Sequence, residues 1–162
     1  MLKGYDATVP NALGRLVSNL LQLEFALRVS LQLDEPQERQ LPLDAFRCIV
    51  PGNILPLNRL TAWDNLRKLV ADFNVGQRAQ GLKPINPNIV KLWDTLTHGR
   101  ITNDNLESEF SLVRFAKPAG DHVTVELVQT VALPWLETQI SHTSEATRTV
   151  WARIDEQRRA RR

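Results

Sequence analysis

Apolar residues recur every three or four positions along four stretches of this chain and alternate with polar ones along a fifth, a pattern that predicts four helices and one β-hairpin. From about Asn11 to Leu33, the residues Leu13, Leu16, Leu20, Leu23 and Leu27 form one stripe. Leu21, Phe25 and Val29 form a second, which makes this a central helix packed on two sides, with Arg15, Asn19 and Gln22 on its polar side. Glu24 and Arg28 lie one turn apart and read as a solvated pair worth roughly 0.2–0.5 kcal/mol.

From Asp34 to Asn58 the periodicity fails. Pro36, Pro42, Pro51 and Pro56 punctuate the segment, and Gly52-Asn53 signals a turn. Leu43 to Phe46 are expected to form a single turn, Ile49 and Val50 to pack on the helices, and Cys48 to be an inert buried thiol. Thr61, with Asp64 three residues on, approximates a capping box for a second helix. Trp63, Leu66, Val70 and Phe73 give that helix its buried face, and Asn74 and Gly76 end it.

After a polar connector over 77–85, Asn86 and Pro87 supply the cap and first position of a third helix. Ile89, Leu92, Trp93 and Leu96 form its apolar face, and Gly99 is expected to end it as a left-handed residue. The period then changes to two. Val113 and Phe115, then Val123, Val125 and Leu127, alternate with polar residues around a Pro118–Asp121 turn, a hairpin over 111–128 that leaves His122 exposed. Pro134 introduces the last helix, which Leu136, Ile140, Thr143, Val150 and Ile154 carry to about Gln157. The expected fold is mainly α: a four-helix up-and-down bundle with a β-hairpin inserted before the last helix. It is expected as one domain over 1–157, followed by a basic tail at 158–162.

Charge changes this picture at one place. The net charge of +2 divides into +3 over residues 153–162 and −1 elsewhere. Arg158, Arg159, Arg161 and Arg162 are therefore the candidate RNA-binding residues, with solvated tail charge the plainer alternative. A single cysteine forms no internal disulfide, and three histidines on three separate elements make no metal site, so neither metal nor cofactor is expected. No apolar run is long enough to span a membrane, and a cytoplasmic location is expected.

One compact stretch carries candidate chemistry. Asp94 and His98 are four residues apart and so stack on one helix face, with Arg100 just beyond. The run Trp93-Asp94-Thr95-Leu96-Thr97-His98-Gly99-Arg100 resembles the signature helix of HEPN domains (higher eukaryotes and prokaryotes nucleotide-binding), and the long first helix is similar too. Many of those helical bundles are metal-independent ribonucleases that act as dimers, with their motif helices facing each other. Their motif is an Arg, often followed by Asn or Asp, and a His a few residues later. This chain keeps Asp94 and His98 and has Trp93 at the Arg position.

The resemblance implies His98 and Asp94 as catalytic residues, with Arg100 supplying the charge that Trp93 cannot. It also implies a homodimer with Trp93 at the interface, and RNA or an antitoxin protein as partner. A histidine titrates near neutrality and can move the proton of an attacking 2′-hydroxyl, but the pentacoordinate phosphorane needs a positive charge. Two readings stand. One is a metal-independent ribonuclease of a toxin–antitoxin or defence system. The other is an inactive HEPN-like module for dimerisation or for RNA or protein binding. The plainer alternatives are that His98 only caps its helix and that Trp93 only continues the core stripe.

Overall fold

A computed structural model describes residues 7–42, 44, 48–102 and 110–161. The order of elements is α1 (Thr8–Leu33), α2 (Leu66–Ala79), α3 (Asn88–His98), β1 (Arg100–Thr102), β2 (Phe110–Phe115), β3 (Val125–Val131) and α4 (Leu133–Arg159), with a short 3₁₀ turn at Gln37–Arg39. The protein is thus mainly helical, with a small antiparallel sheet. The chain divides into two compact units, one of residues 1–20 and 88–143, the other of 21–87 and 144–162.

In the first unit, the start of α1 buries Ala12, Leu16 and Leu20, and the start of α4 buries Leu136, Ile140 and Thr143. The Asn19 amide donates to the Ile140 carbonyl oxygen (3.4 Å), so this residue of the expected polar side is used in packing. The sheet has the order β1-β2-β3, both pairings antiparallel. β2 and β3 pair across the segment of the expected hairpin, but the alternating Phe115, Val123 and Val125 are exposed, and Leu112 and Val131 are the buried positions. The turn is closed by the Ala119–His122 bridge around Gly120, whose φ of 67° is open to glycine at no steric cost. Strand β1 is an addition: three residues are too few to show a period in the sequence, and pairing with β2 creates the strand.

The third helix ends where expected, at His98, for a different reason. Gly99 is not left-handed; the positive-φ glycines are Gly52, Gly81 and Gly120. A Cβ on Gly99 would lie 2.7 Å from Leu112 Cδ1 and closer still to the Thr95 carbonyl oxygen. The helix end is pressed against β2, and only a residue without a side chain fits. α3 begins two residues after Asn86, and Ile89, Val90 and Thr95 are its buried residues, with Leu92, Trp93 and Leu96 half-buried.

The second unit is held by buried side-chain amides. Gln32 donates to the Leu41 carbonyl and accepts from the Leu41 N–H, both at 2.9 Å. Asn58 donates to the Arg39 carbonyl (2.8 Å) and accepts from the Leu60 and Thr61 N–H groups. These amides replace the missing secondary-structure bonds of the irregular 34–58 segment. Asn74 does the same at Ile85, bonding its N–H and its carbonyl at 2.9 Å. Gln157 bonds Ser30 and Asp34, joining the ends of α4 and α1.

Several expectations fail here. Leu21 and Phe25 are exposed, and the second buried side of α1 is made by Ala26, Val29, Ser30 and Gln32. α2 opens four residues later than Thr61 and Asp64 imply: Asn65 is its cap, accepting from the Lys68 N–H at 3.0 Å. It runs through Asn74 and Gly76 to Ala79, and Trp63, before its start, is fully exposed. Cys48 and Val50 are exposed, whereas Gly52-Asn53 forms the expected turn. Of the expected turn at Leu43–Phe46, all but Asp44 lies outside the described residues.

Arg28 does more than pair with Glu24 (2.8 Å). It donates at 2.6 Å to both the Ala62 and Asp64 carbonyls and so pins the entry to α2. Beside it, Arg59 and Lys68 pair with Asp64 and Asp72. Burial raises the Asp72 carboxyl, but hydrogen bonds and charges from Arg59 and Lys68 outweigh this and hold it below the usual carboxylate range.

Gly99→Ala should cost about 1–3 kcal/mol in urea denaturation, because the methyl group has nowhere to go. Gly76→Ala, in open space within α2, should instead gain about 0.5–1 kcal/mol. A pH series tests the ion-pair cluster. A carboxyl depressed on folding stabilises above its unfolded pKa and loses that contribution as pH falls through the folded one. Asp72→Asn should therefore cost about 0.5–1 kcal/mol at neutral pH, with the difference from wild type closing below about pH 4. A pH-independent difference would mean that the pairing does not stabilise the fold.

Candidate functional site

The last turn of α3 is built by its own side chains. Thr95 Oγ1 donates to the Lys91 carbonyl (2.7 Å) and Thr97 Oγ1 to the Trp93 carbonyl (2.9 Å), bonds that tie hydroxyls back onto the preceding turn. Thr95 is buried, which turns its side of the helix towards β2, while His98 is on the surface and Asp94 half-buried. The His98 side chain has no hydrogen-bond or ion-pair partner among the described residues. Trp93 is half-buried, part packing residue and part surface.

The sheet register decides where Arg100 lies. Paired residues share a face and alternate residues along a strand share a face. Leu112, fully buried and against Gly99, marks the face that α3 covers. Arg100 pairs with Val113, the next residue along, so its side chain lies on the opposite face. There its guanidinium carbon is 5.9 Å from the centre of the Phe115 ring, within cation–π range. Of the three sequence candidates, Asp94 and His98 share a helix face, and Arg100 is turned away from that helix. Phe115 is the residue that sequence reasoning passed over. It reads as one more alternating strand position, and only the pairing of β1 with β2 sets it beside a cation.

The basic tail is more ordered than expected. α4 continues to Arg159, whose Nε donates to the Asp155 carbonyl at 3.2 Å. Arg161 donates to Gln40 Oε1 (2.8 Å) and to the Leu33 carbonyl, closing the end of α1. That leaves Arg158 and Arg159 exposed, and Arg162 lies outside the described residues. Among the described residues there is no group of three or more His, Cys, Asp or Glu able to hold a metal ion, and no helix is long and apolar enough to cross a membrane.

No protein-family model, curated protein or solved structure matches the chain.

Trp93→Arg tests the position at which the resembled motif places its arginine. A half-buried site lets the arginine stem cover apolar surface with its head in water. The variant should fold, at a cost of about 1–3 kcal/mol in urea unfolding. Loss of the helical circular-dichroism signal would mean that the ring is a core residue.

Proposed function

We propose that this chain is a HEPN-like module, a four-helix up-and-down bundle of one domain, that binds RNA in the cytoplasm and pairs through α3 without cleaving RNA. The observation that carries this reading is the placement of Arg100. Cleavage through a 2′-hydroxyl builds negative charge on the phosphorane, and preorganised positive charge is the main means of stabilising it. Trp93 offers one neutral N–H in place of the motif arginine. Arg100 lies on the sheet face turned away from α3, beside Phe115. His98 is left with a mobile proton and no cation from either source.

A second reading, the metal-independent ribonuclease of a toxin–antitoxin or defence system, is favoured by the exposure of His98 one turn after Asp94. In that case a second copy would bring charge to the site across the α3 interface, with Trp93 at the contact. A closed two-fold dimer is the default for soluble homo-oligomers and gives both readings their pairing mode.

A single experiment separates them. Labelled single-stranded RNA incubated with the full chain in EDTA should be bound and remain intact. Cleavage that His98→Ala abolishes would overturn the binding-module reading in favour of the ribonuclease. Light scattering should give a dimer at micromolar concentration, and a monomer there would remove the pairing through α3. Arg158→Gln with Arg159→Gln should weaken RNA binding and flatten its salt dependence if these exposed residues contact phosphates, and leave both unchanged if their charge is only solvated.

A further inference from the structure

The face of the sheet opposite α3 is open. By register it carries Arg100 and Thr102 from β1, Ser111, Val113 and Phe115 from β2, and Val125, Val128 and Thr130 from β3. On the inner set Leu112 and Val131 are buried, while Ile101 at the β1 edge is exposed. The outer set is left open: Phe115 is 38%, Val125 51% and Val128 64% exposed. Apolar side chains, one aromatic ring and hydroxyls therefore lie together on a flat surface that leaves them to solvent.

Charge indicates the kind of partner. Arg100 lies on this face by register and makes no ion pair among the described residues, and Glu126 alternates with Val128 and Thr130 next to the register shift at Arg114 and Phe115. The acid nearest the strands' far end, Glu126, is taken by Arg114 across β2 and β3 at 2.9 Å. An occupant must then bring negative charge to Arg100 and a flat apolar surface to Phe115, within the 5.9 Å that separates guanidinium carbon from ring centre. A second copy of this face would bring another arginine and a glutamate already held by Arg114. A nucleotide carries both features in one unit, a base to stack and a phosphate to pair.

We propose that this outer sheet face is the docking surface for single-stranded RNA, with Phe115 stacking a base and Arg100 holding the adjacent phosphate. The inference deepens the RNA-binding reading above and rests on it. Three strands at about 4.8 Å spacing give a surface roughly 10 Å across, room for a short run of nucleotides and too narrow for a duplex to engage both strands. Thr102, Ser111 and Thr130 supply hydroxyls for sugar and phosphate contacts along the other end of the face. Stacking accepts any base, so sequence preference is weak.

The test is fluorescence anisotropy with a short labelled single-stranded RNA of mixed sequence, using the full chain carrying His98→Ala so that the probe stays intact. Phe115→Ala should weaken binding by about 5- to 150-fold, and Phe115→Tyr should retain it. Arg100→Ala should lower the slope of log affinity against log salt by about 0.7, the value for one phosphate contact on a single strand. Val128→Glu places a repelling charge on the face without touching either residue, and should also weaken binding; it serves where Phe115→Ala fails to fold. Folded variants that bind as tightly as their parent would overturn the proposal while leaving an RNA-binding protein that uses another surface. No binding by the parent would overturn both. Tighter binding of an acidic peptide than of RNA would assign the face to a protein partner, and equal binding of single-stranded DNA would remove RNA as the preferred source.

Discussion

Gly99 is where the last turn of α3 meets Leu112 of β2 with no room for a side chain between them. Because the helix end is held against the strand, the chain leaves it directly into β1 and pairs at once, Arg100 against Val113. The pleat then requires Arg100 to lie on the face that α3 does not cover. A close contact between backbone and one leucine thereby sets the geometry of the whole region. It fixes the end of α3, starts the sheet, and separates the imidazole of His98 from the guanidinium two residues later.

The second unit meets a different requirement. The described residues of its 34–58 segment have little regular structure beyond the Gln37–Arg39 turn, so their backbone polar groups need partners that helices and strands do not supply. Gln32 and Asn58 supply them, each both donating and accepting, as a side-chain amide can. Replacing either amide would leave buried donors and acceptors unmatched, at about 1–3 kcal/mol for each such group. Arg28 plays the same part for the entry to α2, where it meets two carbonyl oxygens and one carboxylate.

The two faces of the sheet have divided the chemistry of the chain. On one, Leu112 and Val131 are packed and the helix end with His98 is held. On the other, Arg100 lies over Phe115 beside exposed valines and hydroxyls.

Taken alone, the sequence determined the elements that repeat. Leu16, Leu20, Leu23 and Leu27 on α1, and Leu136, Ile140, Thr143, Val150 and Ile154 on α4, are buried as their spacing requires. Alternation also located the paired strands and the turn at Gly120, but it chose the wrong side: Phe115, Val123 and Val125 are exposed, and Leu112 and Val131 are packed. Tertiary structure decided what has no local signal. β1 is too short to show a period, and Leu21, Phe25 and Trp63 are apolar yet exposed, because burial depends on which neighbours arrive and not on the residue itself. Asn58, Asn74 and Gln32 read as ordinary polar residues until the chain folds around their amides. The candidate site divides along the same line. Asp94 and His98 are tied by helical spacing, which is local. Arg100 and Phe115 are tied by the register of two strands, which only the folded sheet fixes.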